Sequence, residues 1–138
     1  MEPTTIFMPV SALAMLTFIV LLIIPYKRIK ASMDRKVTAD DFSFGESKRV
    51  PGAVSLPNRN MMNLLEIPVL FYVLSMMLFI TGNVTPFFVN MAWTYFALRL
   101  GHSIVHLTYN KVLHRLALFA GSNVVLIIMW IQFVRVTA

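Results

Sequence analysis

The chain has 138 residues, of which 58% are hydrophobic and 13% charged, and its mean hydropathy is +0.74. Soluble domains carry about 25% charged residues, and disordered chains need low hydrophobicity, so this composition excludes both classes and predicts an integral membrane protein. The formal net charge is +6, and the absence of cysteine excludes disulfides, thiolate metal sites and a protein thiol nucleophile.

Uncharged runs predict the membrane spans, each of which needs about 20 mostly apolar residues. Pro3–Tyr26 has 24 such residues, Ile67–Leu98 has 32, and Leu116–Val134 has 19. The second run is too long for one helix, and we divide it at the turn residues Thr-Gly-Asn-Val-Thr-Pro of 81–86. The sequence thus predicts one all-α membrane domain of four helices. This domain is expected to span residues 1–138. Its helices are expected at about 4–28, 58–81, 86–109 and 113–136, with a loop at about 29–57.

The first apolar run is expected to be a retained span. A secretory signal begins with basic residues and ends in a small-residue cleavage site. Met1-Glu2-Pro3-Thr4 has neither feature, and the basic stretch Lys27-Arg28-Ile29-Lys30 follows the apolar run instead.

The basic residues predict the orientation. Of the 12 Lys and Arg residues, seven lie in the first connection, two in the third and none in the second. Because cytoplasmic loops carry the excess of Lys and Arg, we expect loops one and three in the cytoplasm and both termini outside. The orientation in the membrane accounts for the basic residues of the first connection, so no nucleic-acid partner is expected.

Polar side chains inside the predicted second helix indicate a site. A charge at the bilayer centre costs at least ~2.5 kcal/mol, so such residues face the bundle interior. Arg59, Asn63 and Glu66 follow the spacing i, i+4 and i+7, which puts them on one helix face. Asn58 is a reasonable N-cap before them. Pro68 removes a backbone donor, so the sequence predicts a kink there.

The predicted third helix carries a second polar face. Arg99, His102, His106 and Tyr109 are spaced i, i+3, i+7 and i+10. Arg99 and Glu66 lie at similar depth in the two helices, and we expect them to form an ion pair because a lone buried charge is costly.

The arginines in this set predict an anionic ligand. Arg59, Arg99 and Arg115 exceed the single carboxylate of Glu66, and Arg binds carboxylate and phosphate in bidentate fashion. The structural alternative is an ion pair that fixes the helix register, together with hydrogen-bonded bundle histidines. Zinc or haem sites at the histidines are weaker hypotheses, since the surroundings are cationic and two histidines share one helix. No metal site is expected.

Two segments resemble a known family. Arg59-Asn60-Met61-Met62-Asn63-Leu64-Leu65-Glu66-Ile67-Pro68 resembles the R-x-x-x-N-x-x-E signature, followed by proline, of the MAPEG family (membrane-associated proteins in eicosanoid and glutathione metabolism). Arg99-Leu100-Gly101-His102, with Arg115 beyond it, looks like the family's third-helix R-x-x-H stretch. The resemblance covers essentially the whole chain. The sequence of these segments is most similar to that of small bacterial members, which implies that the protein lies in a bacterial inner membrane.

The resemblance implies a homotrimer that binds glutathione as co-substrate at the protomer boundary near the cytoplasmic side. A lipophilic substrate would enter from the membrane lipid. Carried over by position, the glutathione-binding residues would be Arg59, Asn63, Glu66, Arg99 and His102.

The implied chemistry is that of a glutathione transferase or peroxidase. The thiol must come with the ligand, and an arginine beside it favours the thiolate, which attacks an electrophile or a peroxide. The implied catalytic residues are Arg115 and then Arg28 as activating cations, and Tyr109 or His106 as hydrogen-bond donors to sulfur.

Two alternatives belong to other functional classes. His106 stands where the family has a tyrosine, and Pro68 follows Glu66 by two residues where the synthases have three, which leaves room for a non-catalytic glutathione- or lipid-binding protein. The third hypothesis is a proton-linked transporter with Glu66, His102 and His106 as the relay.

Overall fold

A computed structural model describes residues 2–138; Met1, the first residue of the predicted domain, lies outside this range. Five helical segments make up the fold, and no strand occurs within the described range. The segments are α1 Phe7–Met33, α2 Gly52–Leu65, α3 Pro68–Ile80, α4 Pro86–Leu107 and α5 Val112–Thr137, with short 3-10 turns at Pro3–Ile6 and Ala39–Phe42. Since α2 and α3 together form the predicted second helix, the all-α four-helix architecture is confirmed.

Three helical stretches have the length and apolar composition to cross a membrane, namely Pro3–Met33, Gly52–Ile80 and Val112–Thr137. The 22-residue helix α4 is less apolar because it carries Arg99, two histidines and other polar residues. In the bundle α4 packs against α1, α2 and α5. This central position buries Arg99, His102 and His106 inside the bundle.

The core is apolar and draws on every helix. Phe71 of α3 stacks on Tyr95 of α4 with ring centroids 4.6 Å apart, and both side chains are fully buried. On the outer surface, large apolar side chains such as Leu22, Ile80 and Leu113 are exposed. Such a surface fits a bilayer, where lipid tails solvate exposed apolar side chains.

The predicted kink in the second helix is confirmed as a break. Helix α2 ends at Leu65, the next residue Glu66 has ψ −91°, and α3 begins at Pro68. The reason is the proline ring, which lacks the N–H that a continuous helix would direct at Leu64. Arg59 and Asn63 lie on one regular face of α2, and the break ends this face just before Glu66.

The predicted start of the second helix at Asn58 is wrong. Helix α2 begins at Gly52, six residues earlier, directly after Pro51, and Pro57 lies inside it. Burial explains the difference, because Val54 is covered by a small cluster that includes Ala31 and Val37. Packing of this first turn against α1 therefore outweighs the hydrogen bond lost at Pro57.

The connection between α1 and α2 is ordered around one carboxylate. Asp41 accepts hydrogen bonds from Ser47 Oγ at 2.6 Å, from the Thr38 backbone N–H at 2.8 Å and from Arg49 Nε at 3.1 Å. The hydrogen bonds of Ser47 and of the Thr38 backbone hold the pKa of this carboxyl well below its ordinary value. The loop therefore has a fixed centre.

Candidate functional site

Arg99 lies at the centre of the bundle and is fully buried. Its Nε donates to the Tyr95 hydroxyl at 3.2 Å, Nη1 to the Asn63 carbonyl at 3.4 Å and Nη2 to Asn123 Oδ1 at 3.4 Å. The guanidinium carbon also lies 5.1 Å from the centre of the Phe119 ring. These contacts connect α4 with α2 and α5 through a cation that has no carboxylate partner in the described chain.

The expected ion pair between Glu66 and Arg99 does not form within the protomer, and that prediction is wrong. Glu66 follows the last residue of α2 and is exposed, whereas Arg99 is buried among uncharged partners. The helix break at Pro68 is the physical reason. The prediction assumed that Glu66 continues the helix face of Arg59 and Asn63. Because the helix ends at Leu65, the side chain of Glu66 does not follow that i, i+4, i+7 spacing.

A polar cleft of about 220 Å³ opens beside Arg99, between α2 and the first turns of α5. Its lining consists of Asn63, His102, Val112, Arg115, Leu116 and Phe119. Arg115 is partly exposed there, and its Nη1 donates to Asn110 Oδ1 at 2.7 Å. The other N–H groups of this guanidinium make no side-chain hydrogen bond in the described residues, so they are available to an anion.

His102 fixes the backbone at Arg115. Its Nδ1–H donates to the Arg115 carbonyl at 3.0 Å, because a carbonyl can only accept. In the neutral ring this leaves Nε2 as an acceptor, and Nε2 is buried without a partner. The cleft therefore combines a cation from α5 with a histidine from α4 whose second ring nitrogen is buried.

An apolar groove of about 450 Å³ runs between α3 and α5. Its lining consists of Ile67, Leu70, Asn123, Leu126, Ile127, Trp130 and Ile131. Asn123, which accepts from Arg99, belongs to the groove, and Asn63, whose carbonyl also accepts from Arg99, belongs to the polar cleft. Arg99 thus links a polar and an apolar cavity.

The other residues implied by the resemblance are not among the lining residues of the polar cleft. Arg59 is exposed on α2, one turn before Asn63. Arg28 pairs with Glu46 at 3.2 Å and lies 4.4 Å from the centre of the Phe42 ring. Arg28, on helix α1, therefore contacts the ordered loop and does not line the cleft.

The two expected sulfur donors are also separate from the cleft lining. The hydroxyl of Tyr109 is exposed and lies 3.0 Å from His114 Nδ1. His106 is fully buried, and both of its ring nitrogens lack partners. Its ring centre is 5.6 Å from that of His102, in an edge-to-face arrangement.

Three residues at the site were missed from the sequence, namely Tyr95, Phe119 and Asn123. Tyr95 stands four residues before Arg99, and this i, i+4 spacing was an available signal. Asn123 is a polar residue inside an otherwise apolar run, which is a second signal. Phe119 has no sequence signal, because aromatic residues are common throughout the chain.

Metal and relay chemistry have little geometric support. Within residues 2–138 no group of three His, Asp or Glu side chains could hold a metal ion. Glu66 is exposed and makes no hydrogen bond in this range to His102 or His106, which are buried. The relay would need a connection that the described residues do not supply.

Comparison with known proteins gives one match. The sequence model of the MAPEG family matches residues 6–135 of the 138-residue chain. No curated protein and no solved structure matches the chain.

Proposed function

Because the chain belongs to the MAPEG family, and so to the membrane proteins of glutathione and eicosanoid metabolism, we propose that it is a glutathione-dependent transferase or peroxidase. The co-substrate is glutathione, and the second substrate is a lipophilic electrophile or hydroperoxide. The observation that carries the proposal is the partly exposed Arg115 in the polar cleft, which the hydrogen bonds of Arg99 to Asn63 and Asn123 connect with an apolar groove.

The charge of the cleft supports an anionic thiol ligand. Arg115 has free N–H donors, and Arg99 lies buried behind the cleft without a carboxylate partner. Glutathione carries two carboxylates, which guanidinium groups bind in bidentate fashion. Asn63 and His102 supply further polar atoms in the same lining. We include Arg59, Glu66 and Arg99 in the proposed binding set through the family motif.

The proposed reaction starts with loss of the thiol proton. The Arg115 guanidinium stabilises the thiolate, and the proton leaves to solvent. With an electrophile, sulfur forms a bond to carbon and the leaving group departs with the bonding electrons. With a hydroperoxide, sulfur takes the distal oxygen and the alcohol leaves; a second glutathione then releases water and forms the disulfide. The apolar groove holds the lipophilic reactant.

The assembly is part of the proposal. Arg59 and Glu66 carry charges on the exposed side of the second helical span, which a lone protomer would present to lipid. An ion in hydrocarbon is costly, so a neighbouring protomer that covers this face removes the cost. We propose the homotrimer that the family resemblance implies. Native mass spectrometry from mild detergent would detect it as three times the 15.7 kDa chain mass, and a monomer alone would contradict it.

One observation favours a second candidate, a non-catalytic glutathione- or lipid-binding protein with the same fold. The position of the family tyrosine is His106, which is fully buried, and Tyr109 contacts His114 instead of the cleft. A site without a phenolic donor has less stabilisation for the reacting sulfur. Binding without turnover would identify this candidate.

The test is glutathione binding and ultraviolet thiolate absorbance with detergent-purified protein. We expect the wild type to bind glutathione with a thiolate signal. Arg115→Ala should abolish the signal and lower kcat/KM for a lipophilic electrophile roughly 100-fold, because one neighbouring cation lowers a thiol pKa by about 1–3 units. Arg115→Lys should keep part of both.

The matched control is Lys111→Ala, which removes an exposed cation at the start of the same helix and outside the cleft lining. It should leave binding and absorbance unchanged. Binding by the wild type without a thiolate signal would reject the enzyme in favour of the non-catalytic candidate. Absence of binding at millimolar glutathione would reject both.

A further inference from the structure

Basic side chains follow the apolar part of α1, and they form a second candidate site for a ligand. The uncharged run ends at Tyr26, and Lys27 and Lys30 follow on the same helix, which continues to Met33. Tyrosine and lysine are typical of the level at which lipid headgroups lie. This part of the protomer therefore lies where a lipid phosphate would meet it.

A lysine cleft of about 170 Å³ lies at this level, between the end of α1 and the start of α2. Its lining consists of Lys27, Lys30, Ala31, Asp34, Lys36, Pro51, Ala53 and Val54. The one acidic side chain, Asp34, pairs with Lys36 at 3.5 Å. Lys27 and Lys30 form no ion pair with any residue in 2–138. The cleft therefore has two uncompensated positive charges.

An apolar slot of about 260 Å³ adjoins the lysine cleft. Its lining consists of Ile23, Tyr26, Lys27, Ala53, Leu56, Pro57 and Leu107. Lys27 and Ala53 line both cavities, so the two share a wall. Because Ile23 precedes Tyr26 on the span, the slot extends from the lysines towards the apolar part of the helix.

We propose that the lysine cleft and the apolar slot bind one anionic phospholipid. Its phosphate lies between Lys27 and Lys30, and part of one acyl chain lies in the apolar slot. Charge complementarity selects the anionic headgroup, and the shared wall at Ala53 joins the two parts of the ligand. The site is separate from the polar cleft, whose lining shares no residue with it, so it stands independently of the glutathione proposal.

The experiment is native mass spectrometry of full-length protein from mixed micelles with equal phosphatidylglycerol and phosphatidylcholine. We expect the wild type to retain phosphatidylglycerol preferentially. Each lysine near a headgroup contributes about fivefold to binding of an anionic lipid. Lys27→Gln with Lys30→Gln should therefore lower the preference about 25-fold, while Lys27→Arg with Lys30→Arg should retain it.

The control keeps the net charge of the double variant. Lys48→Gln with Lys111→Gln removes two exposed lysines outside both cavities and should leave the preference unchanged. Ala53→Leu fills the shared wall and should also weaken phosphatidylglycerol retention, since it narrows the slot. All variants should elute like the wild type in size-exclusion chromatography, because the substituted side chains are exposed.

Three outcomes would overturn the proposal. An equal loss in the charge-matched control would mean that the attraction is diffuse and not localised. Competition by water-soluble glycerophosphate as strong as that by the lipid would mean an anion site without an acyl chain. Retention of no anionic lipid by the wild-type assembly would mean that another occupant, such as a second copy of the chain, covers the cleft.

Discussion

At the scale of single residues, Arg99 is the unusual feature of the bundle. A fully buried guanidinium is held by a hydroxyl, a carbonyl and an amide oxygen, and it lies 5.4 Å from the Tyr95 ring centre and 5.1 Å from that of Phe119. Aromatic faces attract a desolvated cation by about 2 kcal/mol. These contacts orient Arg99 without neutralising it, so its field favours an anion in the polar cleft next to it.

Replacement of Arg99 is expected to destabilise the protein. Arg99→Ala leaves a cavity and unpaired acceptors, which we expect to cost roughly 2–4 kcal/mol of the free energy of unfolding. Arg99→Lys should recover only part, because an ammonium cannot reproduce the planar fork of a guanidinium. The measurement is the thermal unfolding midpoint in detergent. The exposed Arg135→Ala is the control, with an expected change within about 0.5 kcal/mol. A midpoint unchanged in Arg99→Ala would show that these contacts do not stabilise the bundle.

At the scale of elements, the hydrogen bonds of Asp41 organise the connection between α1 and α2. The carboxylate collects donors from Thr38, Ser47 and Arg49, while the apolar contacts of the loop are limited to a small cluster that includes Val37 and Phe42. The same cluster covers the early first turn of α2. Loss of the carboxylate should therefore loosen the loop and the beginning of α2 together.

The side chain of Asp41 is expected to protect the loop from proteolysis. Asp41→Ala removes the shared acceptor, so Ser47 and Arg49 lose their anchor and trypsin should cleave after Lys48 or Arg49 at least tenfold faster. Asp40→Ala is the matched control, because the Asp40 carboxylate is exposed and accepts no hydrogen bond in the described residues. Timed digestion followed by mass spectrometry gives the rates. Equal cleavage of the two variants would argue against the Asp41 centre.

The pH dependence of this loop follows from the lowered pKa of Asp41. The hydrogen bonds favour the ionised form, so the stability they add is fully present above the unfolded pKa of about 3.9 and is lost as the pH falls through the folded pKa. Amide hydrogen exchange of residues 38–49, normalised to the intrinsic rate, should show protection at pH 5 that declines below about pH 4. Asp41→Asn should already lack this protection at pH 5. Protection that falls between pH 7 and pH 5 would contradict the assignment.

At the scale of the whole molecule, the distribution of basic residues predicts the orientation in the bilayer. The connection between α1 and α2 is rich in Lys and Arg, and the connection between α3 and α4 has none. Cytoplasmic retention of positive loops predicts that the two connections lie on opposite sides of the membrane. Arg115 of the polar cleft, near the start of α5, would then lie on the cytoplasmic side.

The absence of native cysteine makes the orientation directly measurable. Ser43→Cys labels the first connection and Thr85→Cys the second, and both side chains are exposed. A membrane-impermeant maleimide added to intact cells should modify Thr85→Cys and should leave Ser43→Cys unmodified until the membrane is permeabilised. The reverse pattern would place both termini inside and would contradict the positive-inside prediction.

The sequence was sufficient for the features that depend on composition and local chemistry. The uncharged runs predicted the four-helix architecture, in which three helical stretches are long and apolar enough to cross a membrane. The turn residues at 81–86 separated two of the helices, and Pro68 predicted the break before α3. It was not sufficient for the start of α2, because the burial of Val54 against α1 is a tertiary contact. The partner of Arg99 was also inaccessible, since the direction of Glu66 depends on the geometry of the break.

The sequence by itself determined that this chain is a helical membrane protein with arginines in its spans. In the bilayer, unpaired backbone groups are costly, so long apolar runs form helices, and charges are costly, so arginines within these helices stand out. The tertiary structure alone decided how those arginines are used. It buried Arg99 among Tyr95, Asn63 and Asn123, left Arg115 partly exposed in the polar cleft and tied Arg28 to Glu46. Sequence spacing fixes the face of a helix, but the neighbour that the face meets is set by how the helices pack against one another.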